Sequence, residues 1–376
     1  MTYYLKIYDT VFGLPENWNS VVGNHNIMLS EEYFNVLENS SPCNMKCFFM
    51  GFFLEDELIG GALFQYLNFE DHRIFRNKKE DFKVKNLIVK WFVKDIMILG
   101  NNMLTGQNGF YFDFSKITVE NAAVLLENAV RKMQNEIRKT SFVIFKDYQL
   151  SFASSFQNKS YRNYFTFSVQ PNMMMKVREN WNSFEDYTND LTKKYRTRIR
   201  SARNKIAGIE KRELHSSDIQ ANGPDIYDLY RNVAENAPFN TFFLSENHFE
   251  KMKENLKDKF KMYGYFSGEK LIGFYTIILN NKDILPYFLG YDEDCQKEKQ
   301  LYMNMLTDMI EFAIDEKKSK IIFGRTALEI KSTVGAEPVE IFGLFRHNNF
   351  FINSVMKNIV PSVTPKTKWI QRRPFK

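Results

Sequence analysis

Apolar and polar positions alternate along this chain in two distinct periods. The stretch MGFFLEDELIGGALF, Met50 to Phe64, is apolar on both sides of an acidic tetrapeptide and predicts a β-hairpin. MYGYFSGEKLIGFY, Met262 to Tyr275, predicts a second hairpin around Ser267–Lys270. The two align without a gap. Gly51 matches Gly264, and Leu58-Ile59-Gly60 matches Leu271-Ile272-Gly273, both at an offset of 213. Upstream, Leu29, Ser30, Glu31 and Phe34 match Leu244, Ser245, Glu246 and Phe249 at an offset of 215. Ser30 and Ser245 stand where helix N-caps are expected.

The helical period follows each hairpin. Ala123, Leu126, Ala129, Val130 and Met133 share one face of a helix over 122–137. Leu301, Met305, Met309, Ile310 and Ala313 do the same over 301–314. Strands are expected before these helices, at Lys94 and Lys282, and after them, at Ser141 and Lys320. Each half thus reads helix, hairpin, strand, helix, strand, which predicts a duplicated α/β unit with a mixed sheet. The expected units are 1–171 and 172–376. A segment from Asp71 to Trp91 has no counterpart and is expected to be an insertion in the first unit.

A third helix is predicted over about 190–207. Leu191, Tyr195, Ile199, Ala202 and Ile206 form its apolar face, Thr192 or Asp190 caps it, and Gly208 ends it. Charge changes the picture here. The net charge of the 376 residues is only +6, but Lys193 to Lys205 holds seven basic residues and no acid. The tail from Lys357 to Lys376 holds six more and no acid, which leaves −7 for the rest. An anionic partner is therefore expected at local patches. Like charges at this density repel one another on a bare helix. The other faces of the helix, with Lys194 among them and Arg196 and Arg200 one turn apart as a clamp, are candidates for a phosphate-rich group: a nucleotide or coenzyme A tail, a lipid headgroup or tRNA.

Composition excludes several classes. A hydrophobic fraction of 44% and an aromatic fraction of 16% can fill two cores. Three cysteines suit neither a disulfide framework nor a zinc site, and no metal is expected. Lys6 and Asp9 interrupt any signal-peptide core, and Lys90, Lys94 and Asp95 break the longest apolar run. The expectation is a cytoplasmic protein, with the inner face of the membrane as a candidate contact.

Three segments carry a resemblance. LTKKYRTRIRSARNK, from Leu191, is similar to a basic stretch of the type L-S-x-K-x-R-x-x-I-R-x-A. LEIKSTVGAEP, Leu328 to Pro338, is similar to a late F-K-x-x-F-G element. The terminal WIQRRPFK is similar to the tails of related proteins. With the duplicated order of elements, the chain resembles the GNAT N-acyltransferase fold in two tandem units, as in the FemABX peptidoglycan aminoacyltransferases and related bacterial N-acyltransferases. It departs from the pattern at Ile330 and Val334, which replace two aromatics. It also lacks a coiled-coil arm in the basic helix and the glycine-rich pyrophosphate loop of ordinary GNAT enzymes.

The resemblance implies transfer of an acyl group to an amine without metal or covalent intermediate. The donor would be acyl-CoA or acyl-carrier protein, and the acceptor a small-molecule or lipid amine. Two alternatives stay open: a Fem-type aminoacyltransferase using aminoacyl-tRNA on a cell-wall precursor, and a binding module that kept only the fold. Lys331 aligns with the family lysine and would polarise a carbonyl or hold a phosphate. Glu329 is the candidate base. Arg325, beyond the carboxyl end of a strand, joins Lys194, Arg196 and Arg200 as a donor-binding candidate.

Overall fold

The computed structural model describes residues 2–68, 95–106, 108–148, 155–157, 159–168, 170–237, 240–363 and 369–376, with the backbone alone for 357–363. The Asp71–Trp91 segment lies outside the described residues. The chain forms two units.

In the first unit the order is β1 (Tyr3–Tyr8), α1 (Glu31–Ser40), β2 (Met45–Leu54), β3 (Glu57–Asn68), β4 (Asp95–Leu99), β5 (Phe110–Phe112), α2 (Val119–Glu136), β6 (Phe142–Tyr148) and β7 (Phe165–Phe167). In the second it is β8 (Asn172–Lys176), α3 (Phe184–Asp190), α4 (Lys193–Lys205), β9 (Glu210–Glu213), α5 (Ser216–Ala221), α6 (Gly223–Asn236) and α7 (His248–Leu256), then β10 (Phe260–Ser267), β11 (Lys270–Asn280), β12 (Asp283–Tyr291), α8 (Glu293–Lys299), α9 (Leu301–Asp315), β13 (Lys320–Gly324), α10 (Leu328–Thr333) and β14 (Glu337–Val339). The chain then supplies β15 (Phe342–His347) and α11 (Phe350–Val363) to the first unit.

Each unit has one mixed sheet. The first runs β1-β2-β3-β4-β6-β15-β7, with β5 also on β3; the second runs β14-β8-β13-β12-β11-β10-β9. Each described sheet has one parallel pair, β4 with β6 and β12 with β13. A parallel pair needs a crossover, which α2 supplies in one unit and α8 with α9 in the other. The apolar stripes read from the sequence are the faces these helices bury. Ala123, Leu126, Ala129, Val130 and Met133 are fully enclosed, as are Leu301, Met305, Met309, Ile310 and Ala313.

The offset of 213 that aligns the hairpin sequences also aligns their registers. Phe52 faces Gly60, and after an irregularity Phe53 faces Leu58. Tyr265 faces Gly273, and after the same irregularity Phe266 faces Leu271. Ile59 and Ile272 are the extra residues of equivalent β-bulges. The matched glycines have one physical reason. A Cβ on Gly51 would lie 2.9 Å from the Phe53 ring, and one on Gly264 would lie 2.8 Å from the Phe266 ring. Each glycine leaves room for the aromatic two residues on, which points to the same sheet face.

Two expectations change. The sequence predicts the second unit as one run, 172–376, but among the described residues 240–245 and 340–363 belong to the first unit. The cause is strand pairing: β15 lies between β6 and β7, with Phe345 opposite Ile144 on one side and Phe165 on the other. β8, in turn, lies between β13 and β14. Ser30 caps α1 by accepting from the Tyr33 N–H at 3.2 Å, but Ser245 caps no helix. Its hydroxyl donates to the Ser40 carbonyl at 2.8 Å, and α7 starts after Asn247. Among the described residues no helix is long and apolar enough to cross a membrane.

Gly51→Ala and Gly264→Ala should each cost roughly 1–3 kcal/mol, because an inserted methyl displaces a buried ring. Urea unfolding of the two variants measures this. Wild-type midpoints in both would show that the rings yield freely and that the repeated glycines have another cause.

Candidate functional site

The three segments that carry the family resemblance meet in the second unit. The chain leaves β13 through a turn in which Gly324, Thr326 and Ala327 all have positive φ, at +77°, +65° and +47°. That conformation is costly for a β-branched residue such as Thr326 and must be held by its surroundings. Lys331, on the first turns of α10, holds it. Its Nζ donates to the carbonyls of Phe323 at 2.8 Å, Gly324 at 3.3 Å and Arg325 at 2.7 Å. Burial pushes the Lys331 pKa down to about 7. The three carbonyls match the three donors of an ammonium group. Lys331 is therefore committed to main-chain oxygens, and acting directly on a carbonyl or phosphate of a ligand would require breaking one of these bonds.

Glu329 is half-exposed and pairs with Arg372 of the C-terminal tail, with Nε at 3.0 Å. The tail is stitched down along its length. The Arg372 N–H donates to Ser332 Oγ at 2.9 Å, the Thr192 N–H to the Pro374 carbonyl at 2.8 Å, and the Lys376 N–H to the Asp190 carbonyl at 3.1 Å. The Phe375 ring lies against Gly335, where φ is +106° and a Cβ would come within 2.4 Å of the ring. The Arg178 guanidinium covers that ring, 4.2 Å from its centroid. Tyr187 donates to the Val334 carbonyl at 2.9 Å. The start of the basic helix, the LEIKSTVGAEP element and the tail thus form one continuous cluster.

The basic helix divides its charges. Arg196 donates to the carbonyls of Leu191 at 2.9 Å and Asn189 at 3.3 Å, at the corner where α3 turns into α4. Arg200 is exposed, without a hydrogen bond or ion pair to a described residue. Arg196 thus directs Nη2 to that corner, one turn from the exposed Arg200. Lys194 is exposed, its ammonium 5.8 Å from the Tyr195 ring centroid. Arg325 is partly buried, and burial pushes its pKa down to about 10.

Arg203 is not a free cation either. It pairs with Asp308, whose side chain is fully enclosed, and with Glu311 at 3.0 Å. Lys211 approaches Asp308 at 3.3 Å, and the Tyr265 hydroxyl donates to it. No acid within the helix balances its charge, but α9 supplies two. A readable signal existed: in LYMNMLTDMIEF, Asp308 interrupts an apolar stretch one turn before Glu311, a position that calls for a buried partner.

Elsewhere in the second unit, α8 follows β12 after Asp292. There Asp292 accepts from the N–H groups of Asp294 at 3.1 Å and Cys295 at 3.0 Å. A carboxylate already occupies those donors. In the first unit, residues 101–106 turn: Asn101 donates to the Tyr33 hydroxyl at 2.9 Å, and Asn102 to Thr241 Oγ1 at 2.8 Å.

The sequence profile of the FemAB-like family, described as peptidoglycan biosynthesis/recognition, matches residues 113–371. The chain belongs to the FemAB-like family. Among solved structures, FemX superposes with a TM-score of 0.59 at 10% identity, over 95% of this chain and 100% of that one. A conserved protein of unknown function from Bacteroides thetaiotaomicron superposes with a TM-score of 0.51 at 9% identity, over 91% and 99%. At these identities the likeness shows the fold alone, and this chain builds it from two mixed sheets. No curated protein sequence matches the chain. Membership of the FemAB-like family supports acyl or aminoacyl transfer as the general chemistry.

Two outcomes follow from this geometry. Asp308→Ala leaves Arg203 with Glu311 and Lys211 toward solvent, both cations partly exposed, so its loss in urea unfolding should fall below the about 3–5 kcal/mol of a stranded buried charge; a loss below ~1 kcal/mol would mean that both cations find water at no cost. For Lys331, the unfolded chain holds its proton up to a pKa near 10.5 and the folded chain only to about 7. Wild type should therefore gain stability relative to Lys331→Met as pH rises through that window. A flat difference between pH 7 and 10 would show that the carbonyls keep the ammonium charged.

Proposed function

We propose that the chain transfers an acyl or aminoacyl group from an activated donor to an amine, with the donor site on the second unit. The observation that carries this reading is the convergence of the three resemblance segments in one cluster of that unit. In the reaction the amine nitrogen attacks the donor carbonyl and a tetrahedral oxyanion forms. The amine then loses a proton, and the thiolate or alkoxide of the carrier leaves and is protonated. Lys331 serves as a positioning residue that fixes the strained turn after β13. Glu329 can act as a base only when Arg372 releases it.

The donor is carried by an anion. Asp292 fills the N–H groups of α8, which disfavours the diphosphate of acyl-CoA there. Lys194, Arg198 and Arg200 remain as cations exposed on α4. Cations spread along an exposed helix suit a large polyanion, either an acidic acyl-carrier protein or a charged tRNA, better than a compact one. The family description favours an acceptor amine on a cell-wall precursor.

Label transfer from acyl-CoA, acyl-carrier protein and charged tRNA tests the reading. Replacing Lys194, Arg198 and Arg200 with alanine should lower kcat/KM about tenfold or more at low ionic strength, and less at high salt, since screening weakens steering. Equal rates for the triple variant remove these three cations from donor binding. No transfer from any carrier leaves the binding-module reading.

A further inference from the structure

The first unit holds a second basic site, apart from the cluster just described. A pocket of about 490 Å³ opens between α2, the turn before β7, and β15. Arg131, Lys159, Arg162 and Arg346 line it, together with Glu127 and Tyr164. Four cations thus face a single carboxylate in a concavity of the size that small ligands occupy.

The carboxylate is a built element of the site. Glu127 is 3% exposed. It accepts from the Tyr164 hydroxyl at 2.6 Å and from Arg131 Nε at 3.2 Å, and Arg346 Nη2 lies 3.8 Å away. One carboxylate cannot neutralise four cations, but it can aim two of them. Arg131 is gripped through Nε, and its side chain remains 61% exposed. Arg346 lies over the Tyr164 ring, 5.0 Å from the centroid, and its buried Nε makes no hydrogen bond among the described residues. A cation–π contact holds the guanidinium beside the ring. Lys159 and Arg162 are exposed at the rim, without an ion pair to a described residue. A purely solvated cationic surface would need neither a buried orienting carboxylate nor an arginine held against an aromatic ring.

We propose that this pocket binds the phosphate or diphosphate group of a ligand, with Arg131 and Arg346 as the oriented donors and Lys159 and Arg162 as the outer cations. Guanidinium forks match phosphate oxygens in pairs, and additional cations favour more than one phosphate charge. The same chemistry serves a soluble phosphorylated compound and an anionic lipid headgroup. The site draws on none of the residues assigned to the donor, so it stands or falls separately from the transferase reading.

Calorimetric titration of the full chain with inorganic pyrophosphate at low salt is the first test. Wild type should bind, and Lys159→Ala with Arg162→Ala should bind about tenfold more weakly with an unchanged melting temperature. Arg346→Lys, which keeps the charge and loses the fork, should also weaken binding. No heat with wild type, or equal affinity in the double variant, overturns the proposal; equal affinity would put the anion on another basic surface such as α4. Flotation with phosphatidylglycerol and phosphatidylcholine vesicles separates the two sources. Selective flotation with phosphatidylglycerol that is lost with pyrophosphate and in the double variant identifies a lipid headgroup. Pyrophosphate binding without flotation identifies a soluble phosphorylated ligand. Flotation unaffected by both would overturn the lipid form of the proposal.

Discussion

Asp308 sits in the middle of α9 with its carboxylate withdrawn from solvent, and a charge in that position has to be matched. Arg203, Lys211 and the Tyr265 hydroxyl match it. The consequence reaches the whole basic helix. Only Ile199 and Ala202 of α4 are fully buried, a thin apolar face for thirteen residues. Apolar burial of that size fixes a helix weakly, whereas an enclosed ion pair fixes its rotation. Asn304 adds a second tie by donating to the Ala202 carbonyl at 3.0 Å. With that face turned inward, Lys194, Arg198 and Arg200 are left to solvent, and the helix becomes a directed cationic surface.

The same economy governs the turn after β13. A strained main chain is tolerated where its carbonyls are drawn together by one buried ammonium. The tail then closes over α10, its Phe375 ring fitting where residue 335 has no side chain. The residues most tempting as direct participants, Lys331 and Arg196, instead hold main-chain oxygens in place. In this reading the cluster works through the shape those residues enforce.

Duplication gave each unit the same hairpin and left the units free to differ elsewhere. The bulge and its glycine recur because the aromatic two residues on needs the space in both copies. The crossover helices keep their apolar faces and differ in their buried acids. Glu127 on α2 draws in Tyr164, Arg131 and Arg346, while Asp308 on α9 draws in Arg203 and Lys211. A buried carboxylate on a crossover helix thus organises basic residues in each unit, with an open pocket beside the first and an anchored helix beside the second.

The sequence by itself determined what depends on local period. The helical stripes, the two hairpins, their common offset and the mixed sheets were legible because side-chain direction repeats every 2 or 3.6 residues, and a register slip would turn an apolar face to water. The basic helix and the LEIKSTVGAEP element were legible as segments. Tertiary structure decided their chemistry. Which of seven cations on α4 stay free depends on Asp308 and Glu311, more than a hundred residues further on. Whether Lys331 faces a ligand or three carbonyls depends on the positive φ angles of the preceding turn. The placement of β15 between β6 and β7 depends on main-chain hydrogen bonding, which carries no mark in side-chain periodicity. Local patterns record which face of an element is buried; its partner is set by charge and hydrogen-bond pairing across distances that no local window spans.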